Sequence, residues 1–124
     1  MVPDLHAFIE SVGGHVVYNE TQRQFTLPFR AMNLTDRYLK YTYPYGVFAR
    51  LDDMQREIDR RKIQGIIHYV QAFCYRSVED VILRESLGIP MITIEGDLPK
   101  PMDSRTKLRI EAFVELLSNA GDAA

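Results

Sequence analysis

The residue best suited to chemistry in this sequence is its single cysteine, Cys74. It follows an apolar run at 65–70 whose β-branched and aromatic residues are typical of a strand buried in a parallel sheet. Ser77 and Asp80 come next, and their spacing predicts a helix start at which both side chains cap backbone N–H groups. Ligands of open α/β sheets bind at the carboxyl ends of strands, and helix N-termini favour anions such as thiolates. Cys74 therefore lies where this class of fold usually does its chemistry.

Polar residues also follow the other predicted strands, at 15–18 and 91–94. Because the carboxyl ends of parallel strands meet at one edge of a sheet, we expect these residues to lie near Cys74. The candidate site-edge residues are Asn19, Glu20, Arg23, Arg76, Glu95 and Asp97. Glu95 and Asp97 also fit a role in a loop cap or a salt bridge.

Several familiar sites are excluded by spacing. Gly13 and Gly14 are not followed by the remaining glycines of a dinucleotide fingerprint, and no nucleoside-triphosphate loop is present. A cysteine phosphatase loop needs arginine six positions after its cysteine, where this chain has Asp80. The three histidines are scattered, and His68, inside a predicted strand, is expected to be a hydrogen-bonded core residue. A lone cysteine at a strand end is also often purely structural.

The elements that must position these residues alternate along the chain. Apolar spacing predicts helices at 4–12, 49–64 and 78–87, and a last helix capped by Ser104. A loop is predicted at 26–45, with its tyrosines packed on the core. The order predicts one α/β domain over 1–124, with an open parallel sheet covered by helices on both faces, flavodoxin-like or Rossmann-like.

Composition sets further bounds on function. The chain has 124 residues, a formal charge of −2 and 46% apolar residues, values typical of a globular domain. This charge gives no electrostatic reason to expect a nucleic acid or an anionic membrane as partner. There is no apolar stretch of the ~20 residues that a membrane span needs. A single cysteine forms no internal disulfide, so we expect a cytoplasmic location.

Four stretches together resemble a known family. They are Gly-Ile-Ile-His-Tyr-Val-Gln-Ala-Phe-Cys at 65–74, the predicted helix at 76–85, Gly-Ile-Pro-Met-Ile-Thr-Ile-Glu-Gly-Asp at 88–97, and Arg-Thr-Lys-Leu-Arg-Ile-Glu-Ala-Phe at 105–113. In this order they resemble the C-terminal domain of the 2-hydroxyacyl-CoA dehydratase D-component family, which also contains the benzoyl-CoA reductase subunits. Residues 4–18 add a weaker match.

The resemblance implies an enzyme of anaerobic metabolism that acts on an acyl-CoA substrate. A 4Fe-4S cluster receives single electrons from an ATP-dependent activator, and the subunit works with a paired homologous subunit. Cys74 aligns with a cluster-ligating cysteine of the family, so it is the expected iron ligand. The resemblance leaves open which acyl-CoA is used, and whether the reaction is dehydration or ring reduction.

The chain also departs from the family pattern. The other cluster cysteines are missing, as is a strand that normally precedes the first helix. We therefore expect an enzyme fragment that is inactive in isolation, with an incomplete sheet whose exposed edge favours a homodimer. A stand-alone α/β binding or scaffolding module without redox activity is the alternative. An independent thiol enzyme ranks last, because no histidine lies at a predictable distance from Cys74.

Overall fold

The two apolar runs at 65–70 and 91–94 form the strands of a parallel sheet. The computed structural model describes residues 4–23, 30–39 and 46–122. Its helices are α1 (Leu5–Ser11), α2 (Glu20–Arg23), α3 (Leu34–Leu39), α4 (Val47–Arg61), α5 (Glu79–Ser86) and α6 (Ser104–Asp122). Its strands are β1 (Ile66–Gln71) and β2 (Met91–Gly96), and a 3₁₀ turn covers Tyr75–Val78.

β1 and β2 pair in parallel over their whole length, from Ile66 opposite Met91 to Gln71 opposite Gly96. The 3₁₀ turn and α5 connect the two strands. The chain is thus an α/β protein with an open parallel sheet, as the alternation of elements predicts. Within the described residues the sheet has two strands.

Alternate side chains of β1 contact different helices, because successive strand residues point to opposite sides of the sheet. Ile67 and Tyr69 pack with an α1/α6 cluster, whose buried members include Leu5, Ile9, Ile110 and Val114. Ile66 packs with an α4/α5 cluster, whose buried members are Val47, Met54, Ile58, Leu83, Leu87 and Met91. Burying one such aliphatic side chain contributes about 1.5–3 kcal/mol, so these clusters hold the helices on the strands.

Two glycines let neighbouring side chains pack closely against the backbone of the sheet. A Cβ at Gly65 would lie 2.6 Å from Cδ1 of Leu117 and 2.8 Å from Cζ of Phe113, so glycine lets α6 pack against the start of the strand. A Cβ at Gly96 would lie 2.6 Å from Cζ of the Tyr69 ring, which crosses over this glycine. Both positions leave no room for a larger residue unless a neighbour moves.

The predicted helices form with small shifts of their ends. The helix predicted at 4–12 is α1, that at 49–64 is α4, and that at 78–87 is α5. α4 ends where Lys62 adopts the left-handed conformation, with φ of 56°. None of the described helices has the length and apolar character that a membrane crossing needs.

Two predictions of regular secondary structure are wrong. Residues 15–18, expected to be a strand, have no regular secondary structure and pair with no other described segment. The loop expected at 26–45 contains α3, which Asn33 caps by accepting a hydrogen bond of 2.8 Å from the Asp36 N–H. Residues 24–29 and 40–45, including three tyrosines, lie outside the described part of the chain.

The start of α6 is capped by a different residue from the one predicted. Asp103 accepts a hydrogen bond of 2.7 Å from the Thr106 N–H, whereas Ser104 is the first residue within the helix. The carboxylate lies one position earlier than the predicted hydroxyl cap, and its charge also complements the positive end of the helix dipole.

Candidate functional site

Cys74 lies where β1 leads into the 3₁₀ turn, as predicted. Its N–H donates a 3.0 Å hydrogen bond to the Gln71 carbonyl, and its own carbonyl accepts one of 3.0 Å from the Ser77 N–H. The Ala72 N–H donates to the Gly96 carbonyl at 2.7 Å, which ties the turn to the end of β2. The backbone on both sides of the cysteine is therefore held in place, while its side chain is partly exposed.

Phe73, directly before the cysteine, has an unusual conformation. Its φ is 62°, in the left-handed region, where a bulky residue is a genuine outlier. Its side chain is fully exposed, with a relative accessibility of 102%. Among the described residues, no burial of the Phe73 side chain offsets the strain of this backbone conformation. The backbone at Phe73, next to Cys74, is therefore locally destabilising.

The helix-start prediction for Ser77 and Asp80 is wrong in its detail. The residue before α5 is Val78, and no side chain caps this helix start. The Asp80 carboxylate is instead engaged across the sheet: Oδ1 lies 2.6 Å from Nδ1 of His68 and accepts a 2.5 Å hydrogen bond from the Thr93 hydroxyl. Oδ2 accepts a hydrogen bond of 3.2 Å from Arg84.

This polar cluster of Asp80 joins α5 to both strands. Burial favours a higher pKa for Asp80, but hydrogen bonds from His68, Thr93 and Arg84 outweigh it and lower the pKa below its usual value. The ionised carboxylate only accepts hydrogen bonds, so Nδ1 of His68 carries the proton that it shares with Asp80. His68 is thus a hydrogen-bonded core residue, as predicted.

Glu20 and Arg76 are linked through a chain of charges that the sequence analysis did not identify. Arg50, which is 8% exposed, donates two hydrogen bonds of 2.7 Å to the Glu20 carboxylate. It also donates one of 3.4 Å to Glu79, which in turn lies 3.8 Å from Arg76. This Glu20–Arg76 chain connects the segment after residue 19 with the turn that carries Cys74.

Arg23, the last residue of α2, pairs with a second group of charges, which lies on α4. Its guanidinium donates two hydrogen bonds of 2.9 Å to the buried Asp53 and lies 3.4 Å from Glu57. Hydrogen bonds from Arg60 and Arg61 lower the pKa of Glu57 to about 2, despite its burial. These geometries are those of structural ion pairs, so Arg23 contributes to holding α2 on α4.

The remaining site-edge residues occupy separate positions. Asn19 accepts a 3.0 Å hydrogen bond from the Thr21 N–H and starts α2. Glu95 and Asp97 line a pocket of about 170 Å³, together with Lys100 and Thr106. The Asp97 carbonyl accepts a 2.6 Å hydrogen bond from the Gln71 side chain, so this pocket adjoins the end of β1.

The structure thus links Glu20 to Arg76 and places Glu95 with Asp97 at one pocket, whereas Arg23 pairs with α4 and Asn19 caps α2. Sequence reasoning did not single out Arg50, Asp53 and Glu57 among the charged residues of α4. Their spacing of three and four residues, beside the apolar stripe of that helix, is the signal that identifies a buried polar face.

The residues present do not by themselves fit a complete iron–sulfur site. A 4Fe-4S cluster is held by four cysteine thiolates, and this sequence has one cysteine. In the described ranges, no group of three or more His, Cys, Asp or Glu side chains is placed to hold a metal ion. Cys74 fits a single ligand position.

Comparison with known proteins places the chain in a family. Residues 1–117 match the family model described as 2-hydroxyglutaryl-CoA dehydratase, D-component. The comparisons with curated proteins and with solved structures gave no match.

Proposed function

This chain belongs to the 2-hydroxyglutaryl-CoA dehydratase D-component family, and we propose that it acts as part of a dehydratase-type subunit. The family is associated with iron–sulfur dehydratases, an acyl-CoA substrate and an activator protein. Within such a subunit, Cys74 supplies one thiolate ligand to a 4Fe-4S cluster, and the other ligands come from residues outside this chain. When bound, such a cluster would supply single electrons for the acyl-CoA thioester.

The observation that carries this proposal is the placement of Cys74. It is the one thiol of the sequence, and it lies at the carboxyl end of a parallel strand on a turn fixed by three backbone hydrogen bonds. A ligand held this way needs little reorganisation to bind iron. The partly exposed side chain leaves the sulfur accessible from outside the chain.

Exposed apolar side chains surround the cysteine in sequence and support a shared site. Phe73, Tyr75, Val78 and Val81 are between 66% and 102% exposed. Contiguous exposed apolar residues mark surfaces that another protein or domain covers. A covering surface at this position would bring its own ligands to Cys74 and keep water from the cluster, both of which tune its potential.

The acyl-CoA site also needs walls from outside this chain. The pocket beside Glu95 and Asp97 has a volume of about 170 Å³, below the ~300 Å³ at which small-molecule sites begin. We assign Glu95, Asp97 and Arg76 to the rim of the larger site. In the assembled subunit the sheet is flavodoxin-like and covered on both faces, since its two strands already contact helices through alternate residues.

The proposal is tested with a peptide that carries three cysteines and a preformed 4Fe-4S cluster, so that one iron lacks a protein thiolate. Under anaerobic conditions, we expect the full 124-residue chain to bind this peptide in a 1:1 complex on size-exclusion chromatography. Cys74→Ser should abolish the complex. Equal binding by the Cys74→Ser variant would show that the cysteine is not the ligand.

A matched control keeps one thiol but moves it. The double variant Cys74→Ser/Ser77→Cys places the thiol on an exposed residue three positions later, within the 3₁₀ turn. It should bind the cluster peptide weakly or not at all. Iron and sulfide added to the isolated chain should give no stable 4Fe-4S spectrum in the monomer, and such a spectrum would refute the shared ligand set.

A further inference from the structure

The outer edge of β2, on the side away from β1, carries backbone groups that take no part in the β1–β2 ladder. The Ile66 N–H donates to the Pro90 carbonyl at 2.9 Å, and alternate residues of a parallel strand face the same neighbour. The N–H and C=O groups of Met91, Thr93 and Glu95 therefore point to the other side. Among the residues that the structure describes, no third strand pairs with this edge.

Two arginine side chains occupy the first two outward carbonyls of this edge. Nη1 of Arg84 donates a 2.6 Å hydrogen bond to the Met91 carbonyl, and Nη2 of Arg109 donates one of 2.9 Å to the Thr93 carbonyl. These lengths are similar to those of hydrogen bonds between strands. Each guanidinium therefore lies where the N–H of a neighbouring strand would lie.

The two arginines reach the edge of β2 from opposite faces of the sheet. Arg84 belongs to α5, which packs with Met91 on one face, and Arg109 belongs to α6, which packs on the other. Nη2 of Arg84 also donates to the Thr93 hydroxyl at 2.7 Å and to Asp80 at 3.2 Å, which fixes the direction of its side chain. Both arginines are exposed, so they separate the edge of the strand from the surroundings.

The sequence of β2 makes an open edge a hazard. Residues 91–94 read Met-Ile-Thr-Ile, a run of high β propensity without a charge. An edge strand of this kind is a template on which another chain can add a strand, and proteins prevent this with charged side chains at the edge. Arg84 and Arg109 have both the charge and the position that this protection requires.

We infer that Arg84 and Arg109 guard the outer edge of β2 against pairing with β2 of a second copy of this chain. The outward groups of the strand are self-complementary: in an antiparallel pair across a two-fold axis, Thr93 lies opposite its own counterpart and Met91 lies opposite Glu95. This pairing needs the carbonyls of Met91 and Thr93, which the arginines occupy. It would also bring the arginines of both copies together, and like charges across a strand pair are destabilising.

Attachment of the helices to the sheet does not by itself account for these two hydrogen bonds. Leu83 of α5 and Ile110 of α6 are completely buried in the two apolar clusters that hold these helices on the strands. Burial of such side chains stabilises a helix contact more than a hydrogen bond at an exposed position does. A guard at the edge explains why arginines from both faces converge on successive outward carbonyls of one strand.

The test compares the full chain with its Arg84→Ala/Arg109→Ala variant by sedimentation equilibrium over a series of protein concentrations. The Kd for dimerisation of the variant should be at least about tenfold lower than that of the wild-type chain. Amide hydrogen exchange by NMR then locates the contact. The Thr93 and Glu95 amides should become protected as the concentration of the variant rises, whereas Ile67, on the free edge of β1, should exchange as in the wild type.

Three further variants separate protection of the edge from a general loss of stability. Arg37→Ala/Arg105→Ala removes the same charge from exposed positions of α3 and α6 and should dimerise no more than the wild type. Arg109→Ala alone leaves the hydrogen bonds of Arg84 in place and should still lower the Kd, though less than the double variant does. Glu95→Pro, added to the double variant, removes an outward N–H and should restore the wild-type Kd, since proline is tolerated in an edge strand.

Four results would overturn the inference. The first is a wild-type Kd in both the double variant and Arg109→Ala, and the second is an equal gain in dimerisation with the Arg37→Ala/Arg105→Ala control. The third is dimerisation of the double variant that Glu95→Pro does not reverse. The fourth is concentration-dependent protection that appears at Ile67 and not at Thr93, which would place the contact on the edge of β1.

Discussion

Nδ1 of His68 lies 2.6 Å from Oδ1 of Asp80 and so links β1 to α5, the two elements on either side of the Cys74 turn. Thr93 of β2 bonds to the same carboxylate oxygen, so one side chain of α5 holds both strands. The turn between β1 and α5 is thereby anchored at both ends. A fixed turn is what a cluster ligand requires.

Replacing Asp80 with asparagine should lower the free energy of unfolding by about 1–3 kcal/mol, because three donors lose a charged acceptor. Urea denaturation measures the change. Glu85→Gln, which removes the same charge from an exposed position of α5, is the control and should change stability by less than about 0.5 kcal/mol. Equal effects of the two variants would mean that the hydrogen bonds of Asp80 contribute nothing specific.

Arg50→Lys should destabilise the protein by about 1–3 kcal/mol although it keeps the charge. Lysine cannot reproduce the two 2.7 Å hydrogen bonds to Glu20 and also reach Glu79. Arg60→Lys is the matched control: its guanidinium pairs with Glu57, but its side chain is 62% exposed. Such an exposed pair contributes less than about 1 kcal/mol. If the Arg60 variant is the less stable of the two, the assignment of a buried network to Arg50 is wrong.

Gly96→Ala should cost about 1–3 kcal/mol, because the added methyl group overlaps the Tyr69 ring. Tyr69→Val removes the ring and should relieve part of this cost. A double-mutant cycle in urea measures the coupling, which we expect to be at least about 0.5 kcal/mol. Additive effects would indicate that the ring does not restrict position 96.

Stability should fall as the pH is lowered from about 4.5 towards 2, with Glu57 as one cause. Its pKa is about 2 in the folded protein and 4.5 ordinarily, so the unfolded state binds a proton first. The stabilisation is complete above the unfolded value and is lost as the pH falls through the folded value. Glu57→Gln should weaken this dependence in urea titrations at a series of pH values. Asp59→Asn, an exposed position on the same helix, should leave it unchanged, and an equal effect of both variants would contradict the assignment.

Much of the fold follows from local pattern. Runs at 65–70 and 91–94 are recognisable because strands buried on both faces consist of β-branched and aromatic residues. The run at 15–18 has the same character but forms no strand, because a strand needs a neighbour to pair with and that information is not local. Asp103 rather than Ser104 caps α6, a choice between adjacent residues that spacing alone does not decide.

The candidate site was predictable only in part, because some of its contacts join residues that are far apart in the sequence. The position of Cys74 depends on two neighbouring elements, and the sequence identifies both. The link from Glu20 through Arg50 to Glu79 joins residues about 30 positions apart, so no local pattern contains it. Arg23 pairs with α4 and not with the other site-edge residues, because it donates two hydrogen bonds to the buried Asp53.

The identity of the ligand at the fourth iron tests the central claim most directly. The three-cysteine peptide cluster is prepared with ⁵⁷Fe at its open position, mixed anaerobically with the full chain, and examined by Mössbauer spectroscopy. We predict that the labelled iron acquires the signature of four sulfur neighbours with the wild-type chain and keeps an oxygen- or nitrogen-ligated signature with Cys74→Ser. The same spectrum with both chains would contradict the account.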